Sequence, residues 1–261
     1  MLIKARVIPC LLLKDKGLVK TVEFKSPKYV GDPINAVKIF NDKEVDELII
    51  LDIDASAKGK KPNFDLISKI AGECFMPLCY GGGIRSVGDL KILFNIGIEK
   101  AAINTYTVEK REFISEAAGY FGSQSIVVSM DVRKKAFGRH EVFINGGQKG
   151  TGLDVVDFAK EMENRGAGEL MLTSIDRDGT MQGYDMDLVK KVSNAVNIPV
   201  IACGGAGNIQ DLVNVIKKGG ASAAAAGSMF VFQGPHRAVM ISYPSRKDLQ
   251  EIYVKGDVNN D

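Results

Sequence analysis

The sequence predicts an α/β fold: a (β/α)8 or TIM barrel with an internal half-barrel repeat. Three observations carry this. Eight short apolar or β-branched runs alternate with longer amphipathic stretches along 261 residues. One script occurs twice: Asp52, Gly83 and Asn104 recur as Asp176, Gly205 and Gly227, each about 123 residues further on. The strand candidates are almost wholly apolar, as parallel strands covered on both faces require. A doubly wound sheet is the alternative, but nothing in it calls for a repeat at half the chain.

Strands are predicted at Arg6–Leu13, Glu47–Asp52, Met76–Tyr80, Lys100–Asn104, Ser125–Asp131, Glu169–Thr173, Ile198–Ala202 and Ala223–Ala226. Helical spacing fills Asn63–Cys74 and Leu153–Arg165. In the latter Leu153, Val156, Phe158, Ala159 and Met162 gather mainly on one face. No Ser/Pro-rich linker divides the chain. Residues 1–244 therefore read as a single barrel, with halves at about 1–122 and 123–244. The last unit breaks the pattern. Val239–Tyr243 reads as a strand where a closing helix is expected, either a surface contact or a buried barrel-closing strand. Residues 245–261 read as a polar C-terminal tail with a frayed end.

Bulk composition excludes several classes. Hydrophobic residues at 45% supply a core, and 25% charged residues suit a soluble protein. A net charge of +2 gives no field for nucleic acid. Cys10, Cys74, Cys79 and Cys203 have no paired spacing, which suits a reducing cytoplasm. The N-terminus lacks a signal-peptide core, and no apolar stretch approaches the roughly 20 residues that span a bilayer. A cytoplasmic protein without a membrane partner is expected. His140 and His236 have no ligand neighbours at useful spacing, so neither a metal nor a cofactor is expected.

Active sites of such barrels form at the C-terminal ends of the strands. Glycines there let backbone N–H groups approach an anion, and a following helix start adds its positive end. Gly81–Gly83 with Asn104 and Thr105, and Gly204–Gly205 with Gly227 and Ser228, predict two phosphate sites for the two ends of one bisphosphate. Tight turns alone are the plainer alternative. Asp131 ends strand five and is placed to act as a general acid or base, or else as a loop cap. The repeat sets Leu12 opposite it. Asp52, Asp176 and Asp178 also end strands, and periodicity cannot sort the functional from the structural. At the opposite end Arg6, Glu47, Lys100 and Glu169 open strands one, two, four and six. They form either a salt-bridged ring closing the base or a solvated rim.

These motifs resemble the HisF family, the cyclase subunit of imidazole glycerol phosphate synthase, from Lys4 to about Phe232. The strings that carry it are Asp46–Asp52, Tyr80–Ile84, Arg165–Glu169, Thr173–Thr180 and Gly204–Gly207. Sister HisA isomerases share barrel and repeat, but Asp176–Thr180 with the charged base looks more like HisF. The resemblance implies a HisH-like glutaminase docked at the N-terminal face. Ammonia would enter through a gate matching Arg6, Glu47, Lys100 and Glu169 and rise through the barrel. At the top it would meet a phosphoribulosyl-formimino nucleotide, giving imidazole glycerol phosphate and an aminoimidazole carboxamide nucleotide. The family's phosphate positions match Gly83, Asn104, Thr105, Asp178, Gly179, Gly205, Gly227 and Ser228; Gly227 stands where some members carry Ala.

The departures lie at the reaction centre. The family has catalytic aspartates on strands one and five. Here Asp131 is kept and Leu12 replaces the other, while Cys203 replaces a serine. The loop after strand one differs, with Lys16, Gly17 and Thr21, although Lys20 remains. An intact gate with half an acid/base pair resembles a divergent HisF-like branch of O-antigen and surface-sugar gene clusters. The runs Val7–Asp15 and His236–Pro244 look like that branch. Its members pair with a HisH-like glutaminase and pass ammonia to an ATP-dependent sugar amidotransferase that makes an acetamidino sugar of lipopolysaccharide. Two other readings stay open: a working histidine-pathway cyclase in which Asp131 alone, or another carboxylate such as Asp15, performs both proton transfers, and a non-catalytic scaffold that activates a glutaminase.

Overall fold

The computed structural model describes residues 5–234 and 236–253. Eight parallel strands close into a barrel. They are β1 (Arg6–Lys14), β2 (Leu48–Asp52), β3 (Leu78–Gly81), β4 (Lys100–Ile103), β5 (Ile126–Lys134), β6 (Glu169–Ser174), β7 (Val200–Cys203) and β8 (Ala223–Ala226). Each pairs with the next, and β8 returns to β1 through Ile8↔Ala225. The pairing registers climb by eight residues in one circuit, the shear of a TIM barrel.

That climb sorts the inward side chains into layers of four from alternate strands. From the base upward they are Ile8, Cys79, Val127 and Ile201; then Ile49, Ala102, Met171 and Ala225; then Cys10, Gly81, Ser129 and Cys203. The apolar members form a buried cluster separate from the larger core between strands and helices. Above them Leu12, Gly83, Asp131 and Gly205 share one layer at the mouth.

Helices cover the outside. Phe64–Ala71 starts at Asn63, whose side chain accepts from Leu66 N, and Val155–Asn164 starts at Asp154, which accepts from Val156 N. These carboxamide and carboxylate caps satisfy donors that the first helical turn leaves free. Each helix turns its apolar stripe inward, Ile67 and Ile70 in the first and Phe158, Ala159 and Met162 in the second.

Two hairpins lie outside the sequence expectation. Gly17–Val22 and Lys25–Gly31 follow β1; His140–Ile144 and Lys149–Asp154 follow β5. Each continues its barrel strand antiparallel, through Leu12↔Val19 and Asp131↔Phe143. The half-chain repeat thus extends to the excursions over the mouth. Asn145–Gly146 was the available signal: both residues have φ near +60°, which a type I′ hairpin turn needs.

The end of the chain corrects two expectations. Only Ala238–Val239 is a strand, and it pairs with Phe232–Gln233 rather than with the barrel. Val239 and Met240 are exposed, because β8 pairs with β1 and leaves no gap for a closing strand. The region read as a polar tail docks in part. Gln250–Tyr253 is a helical turn, with Leu249 and Ile252 buried against the helix Ile209–Lys217. Residues 254–261 lie outside the described residues.

Candidate functional site

The two long strands β1 and β5 bring Leu12 and Asp131 to opposite walls of one pocket at the C-terminal mouth. The same pocket is lined by all the predicted phosphate positions, Gly83, Asn104, Thr105, Asp178, Gly179, Gly205, Gly227 and Ser228, but not by Asp176. Its glycines are there for close approach. A Cβ on Gly205, at φ +116°, would lie 2.2 Å from Gly183 O. At Gly227 it would lie 1.7 Å from Lys20 Nζ and 2.8 Å from Cys10 O. Gly227 is thus more than an Ala-equivalent: its bare backbone makes room for the Lys20 ammonium.

Lys20 is buried at this spot and donates to Cys10 O at 2.9 Å. It lines the same pocket as Asp178 and supplies positive charge that favours the Asp178 carboxylate. Asn104 Nδ2 donates to Ser129 O at 3.0 Å, and Thr105 Oγ1 accepts from Asn145 N at 3.1 Å. The second hairpin therefore rests on the first predicted phosphate loop.

The structure sorts the carboxylates. Asp52 Oδ1 accepts from Asp54 N and Ala55 N and shapes the turn after β2. Asp176 accepts from Lys134 N at 2.9 Å and faces Arg133, so it ties β6 to β5. Asp131 and Asp178 line the pocket, as does Asp52, whose Oδ1 is taken up by the turn and whose carboxyl burial also raises. Burial first, and the charge of Asp178 second, push the Asp131 carboxyl up to about 7. Burial also raises Asp178, opposed by Lys20 and by Thr21, whose hydroxyl donates to Asp178 Oδ2 at 2.8 Å. A carboxylate placed this way is a poor phosphate ligand through its side chain. The adjoining Gly179 offers backbone instead. Asp15 lies outside the pocket and pairs with Lys60 at 3.5 Å.

One contact escaped sequence reasoning. Cys10 and Cys203 share the top interior layer, with only an alanine strand between them, and their thiols hydrogen-bond. The Cys203 thiol, against burial and with help from Lys20, lowers the Cys10 pKa; the same contact and burial push Cys203 well above its ordinary value. Only the barrel register reveals this pairing.

At the base the four predicted charges form a closed cycle. Arg6 Nη1 lies 2.5 Å from Glu47 Oε2 and Arg6 Nη2 lies 3.0 Å from Glu169 Oε1. Lys100 Nζ lies 3.0 Å from Glu47 and 3.2 Å from Glu169. The ring closes directly beneath the layer of Ile8, Cys79, Val127 and Ile201. Burial opposes the Arg6 charge, but Glu169 and Glu47 outweigh it and hold the guanidinium above its usual value. The solvated rim is thereby replaced by a shielded, alternating ring, with Glu47 only 2% exposed.

Fold and site together define a (β/α)8 barrel of the twofold-repeat type, with an acid at the mouth and an ion-pair plug at the base. Residues 6–236 match the family described as histidine biosynthesis protein. A Pseudomonas aeruginosa protein provisionally named imidazole glycerol phosphate synthase subunit hisF2 is 54% identical over 93% of this chain and 97% of its own. A similarly named HisF of Leptospira borgpetersenii is 47% identical over 97% of this chain and all of its own. The imidazole glycerol phosphate synthase subunit HisF of Alkaliphilus metalliredigens is 44% identical over 88% and 91%. The chain belongs to this histidine-biosynthesis family, among its HisF members. Among the described residues no helix is long and apolar enough to cross a membrane.

Proposed function

We propose that this chain is the ammonia-conducting barrel of a glutamine amidotransferase complex and delivers ammonia to a separate ATP-dependent sugar amidotransferase. A HisH-like glutaminase docks on the N-terminal face. Ammonia passes the ring of Arg6, Glu47, Lys100 and Glu169 and leaves at the mouth. The acceptor is the precursor of an acetamidino sugar of lipopolysaccharide. One observation carries the reading: Leu12 faces Asp131 across the mouth, while the four charges at the base form an unbroken cycle. Ring closure needs a proton acceptor and a proton donor on opposite sides of the substrate. Leucine is neither, and loss of one positioned group costs about 10²- to 10⁴-fold in rate.

Surface features support a docked partner at the base. Phe75, in the loop that leads into β3, and Tyr120, in the last turn of the helix Glu112–Phe121 that precedes β5, are 86% and 70% exposed. Large exposed aromatics at one end of a barrel suit a protein interface. At the mouth, the predicted phosphate loops are retained as an anion platform for a phosphate-bearing ligand.

The experiment is a comparison of nitrogen sources. With the glutaminase and the sugar amidotransferase present, Lys100→Ala is expected to lower glutamine-dependent amidation while amidation with added ammonium salt is unchanged. Normal coupling in Lys100→Ala would sink the conduit and favour a scaffold role. A second reading, the cyclase subunit of histidine biosynthesis, is favoured by Asp178, a second pocket carboxylate with a raised pKa. Turnover of the formimino nucleotide by the purified chain with ammonium at ordinary enzymatic rates would favour it over the first.

A further inference from the structure

The base of the barrel has a support that the ring of charges does not explain. The β1–β2 ladder begins at Cys10↔Ile49. Below it the two strands do not pair with each other past Arg6–Ile8 and Asp46–Leu48, where the gate residues Arg6 and Glu47 arise, although β1 still pairs with β8 on its other side. Backbone groups in such a gap need other partners. Val7 N donates to Asp46 Oδ2 at 3.0 Å. Val7 O accepts from the Tyr243 hydroxyl at 2.9 Å. The same hydroxyl receives the Asp46 backbone N–H and contacts Tyr253, and Tyr253 donates to Asp46 Oδ2 at 2.7 Å. Burial raises the pKa of both phenols, so both remain protonated donors. Tyr243 is seated against Phe230, ring centroids 5.2 Å apart, and Tyr253 belongs to the docked turn Gln250–Tyr253.

We infer that Tyr243 and Tyr253 are positioning residues for the gate: the C-terminal segment holds the Arg6–Val7 and Asp46–Glu47 backbones at the spacing that closes the ring. The inference rests on the conduit reading, because it assigns the tyrosines to the Arg6–Glu47 arm of that gate. Both side chains lie more than 200 residues from the groups they bond, the Val7 carbonyl for Tyr243 and the Asp46 carboxylate, itself the acceptor of Val7 N, for Tyr253. Release of this segment would widen the gap between β1 and β2 and part Arg6 from Glu47. A partner seated on the base could therefore open the gate by drawing on the C-terminal segment, without touching any of the four charges.

Cys79 reports the state of the gate, since it lies in the interior layer directly above the ring and is 1% exposed. The test uses the full-length chain with Cys10, Cys74 and Cys203 changed to Ser, so that Cys79 is the single thiol. Its reaction with methyl methanethiosulfonate is timed in this parent, in Tyr243→Phe, in Tyr253→Phe and in Lys100→Ala. Each tyrosine variant removes one hydroxyl and keeps the ring packed. Acceleration of about tenfold or more is expected in Tyr243→Phe, with a smaller rise in Tyr253→Phe, at temperatures well below a melting midpoint measured by calorimetry. Guanidine-free hydrogen exchange of a β6 amide, Leu172, serves as the control for global opening and is expected to be unchanged. Acceleration in Lys100→Ala alone would overturn the latch and leave the gate standing. An unaltered rate in all three variants would overturn the gate, and the latch with it. Parallel acceleration at Cys79 and Leu172 would show general loosening and also overturn the proposal.

Discussion

Leu12 and Asp131 occupy the same layer on opposite walls of the barrel mouth, one on each half of the repeated fold. Each lies near the end of a nine-residue strand that runs on into an antiparallel hairpin. The local architecture is therefore matched and the chemistry is not. Asp131 faces a hydrocarbon wall, and its nearest acidic company is Asp178.

This isolation gives Asp131 a measurable pH signature. With its carboxyl raised to about 7, the folded chain holds a proton that the unfolded chain, near 3.8, releases. The native state thus binds more protons between those values, and stability attributable to this group falls as pH rises from about 4 to 7. Asp131→Asn removes the penalty. Urea unfolding is expected to show stabilisation of roughly 1–3 kcal/mol at pH 8, shrinking towards pH 4. A pH-independent effect would place the carboxyl in the ordinary range.

Gly227 and Lys20 form a steric pair. Gly227→Ala is expected to destabilise by about 1–3 kcal/mol, because the new methyl meets both Lys20 Nζ and the fixed Cys10 carbonyl. Shortening the lysine removes one of the two clashes. Thermal unfolding of the double variant Gly227→Ala/Lys20→Ala should therefore show less loss than the sum of the single changes. Strict additivity would separate the two residues.

The ring at the base predicts unequal costs. Lys100→Ala leaves Glu47, 2% exposed, with Arg6 as its only partner in the cycle, and is expected to cost about 1–3 kcal/mol in chemical unfolding. Lys110→Ala removes an exposed pair with Glu116 and is expected to cost well under 1 kcal/mol. Equal losses would mean that the ring is solvated like any surface pair.

Much of the fold was legible because eight apolar runs and a half-chain repeat are strong, redundant signals. All eight barrel strands fall within a few residues of their predicted spans. The hairpins were missed because Leu18, Val19 and Lys20 are buried consecutively, which hides the alternation expected of a strand. Val239–Tyr243 misled in the opposite sense. Its composition suits a strand, yet among the described residues only Val239 of this run enters a ladder, opposite Phe232. The mouth residues were legible from glycine placement, whereas the separate jobs of Asp176 and Asp178 were not. A carboxylate's role depends on which donors reach it, and Lys134 N and Thr21 come from distant segments. The Cys10–Cys203 contact is likewise set by barrel closure, and the Tyr243–Val7 bridge by the docking of the C-terminal segment, neither of which local pattern encodes.

The central claim is that the side chain at position 12 separates ammonia delivery from ring closure. Its most direct test is steady-state turnover of the phosphoribulosyl-formimino nucleotide with saturating ammonium, measured on the unaltered chain and on Leu12→Asp. The account predicts that the unaltered chain is slower by about 10²-fold or more, the usual worth of a positioned acid or base, and that Leu12→Asp recovers the activity. Equal and substantial turnover by both proteins would contradict it, because ring closure would then proceed without a carboxylate at position 12.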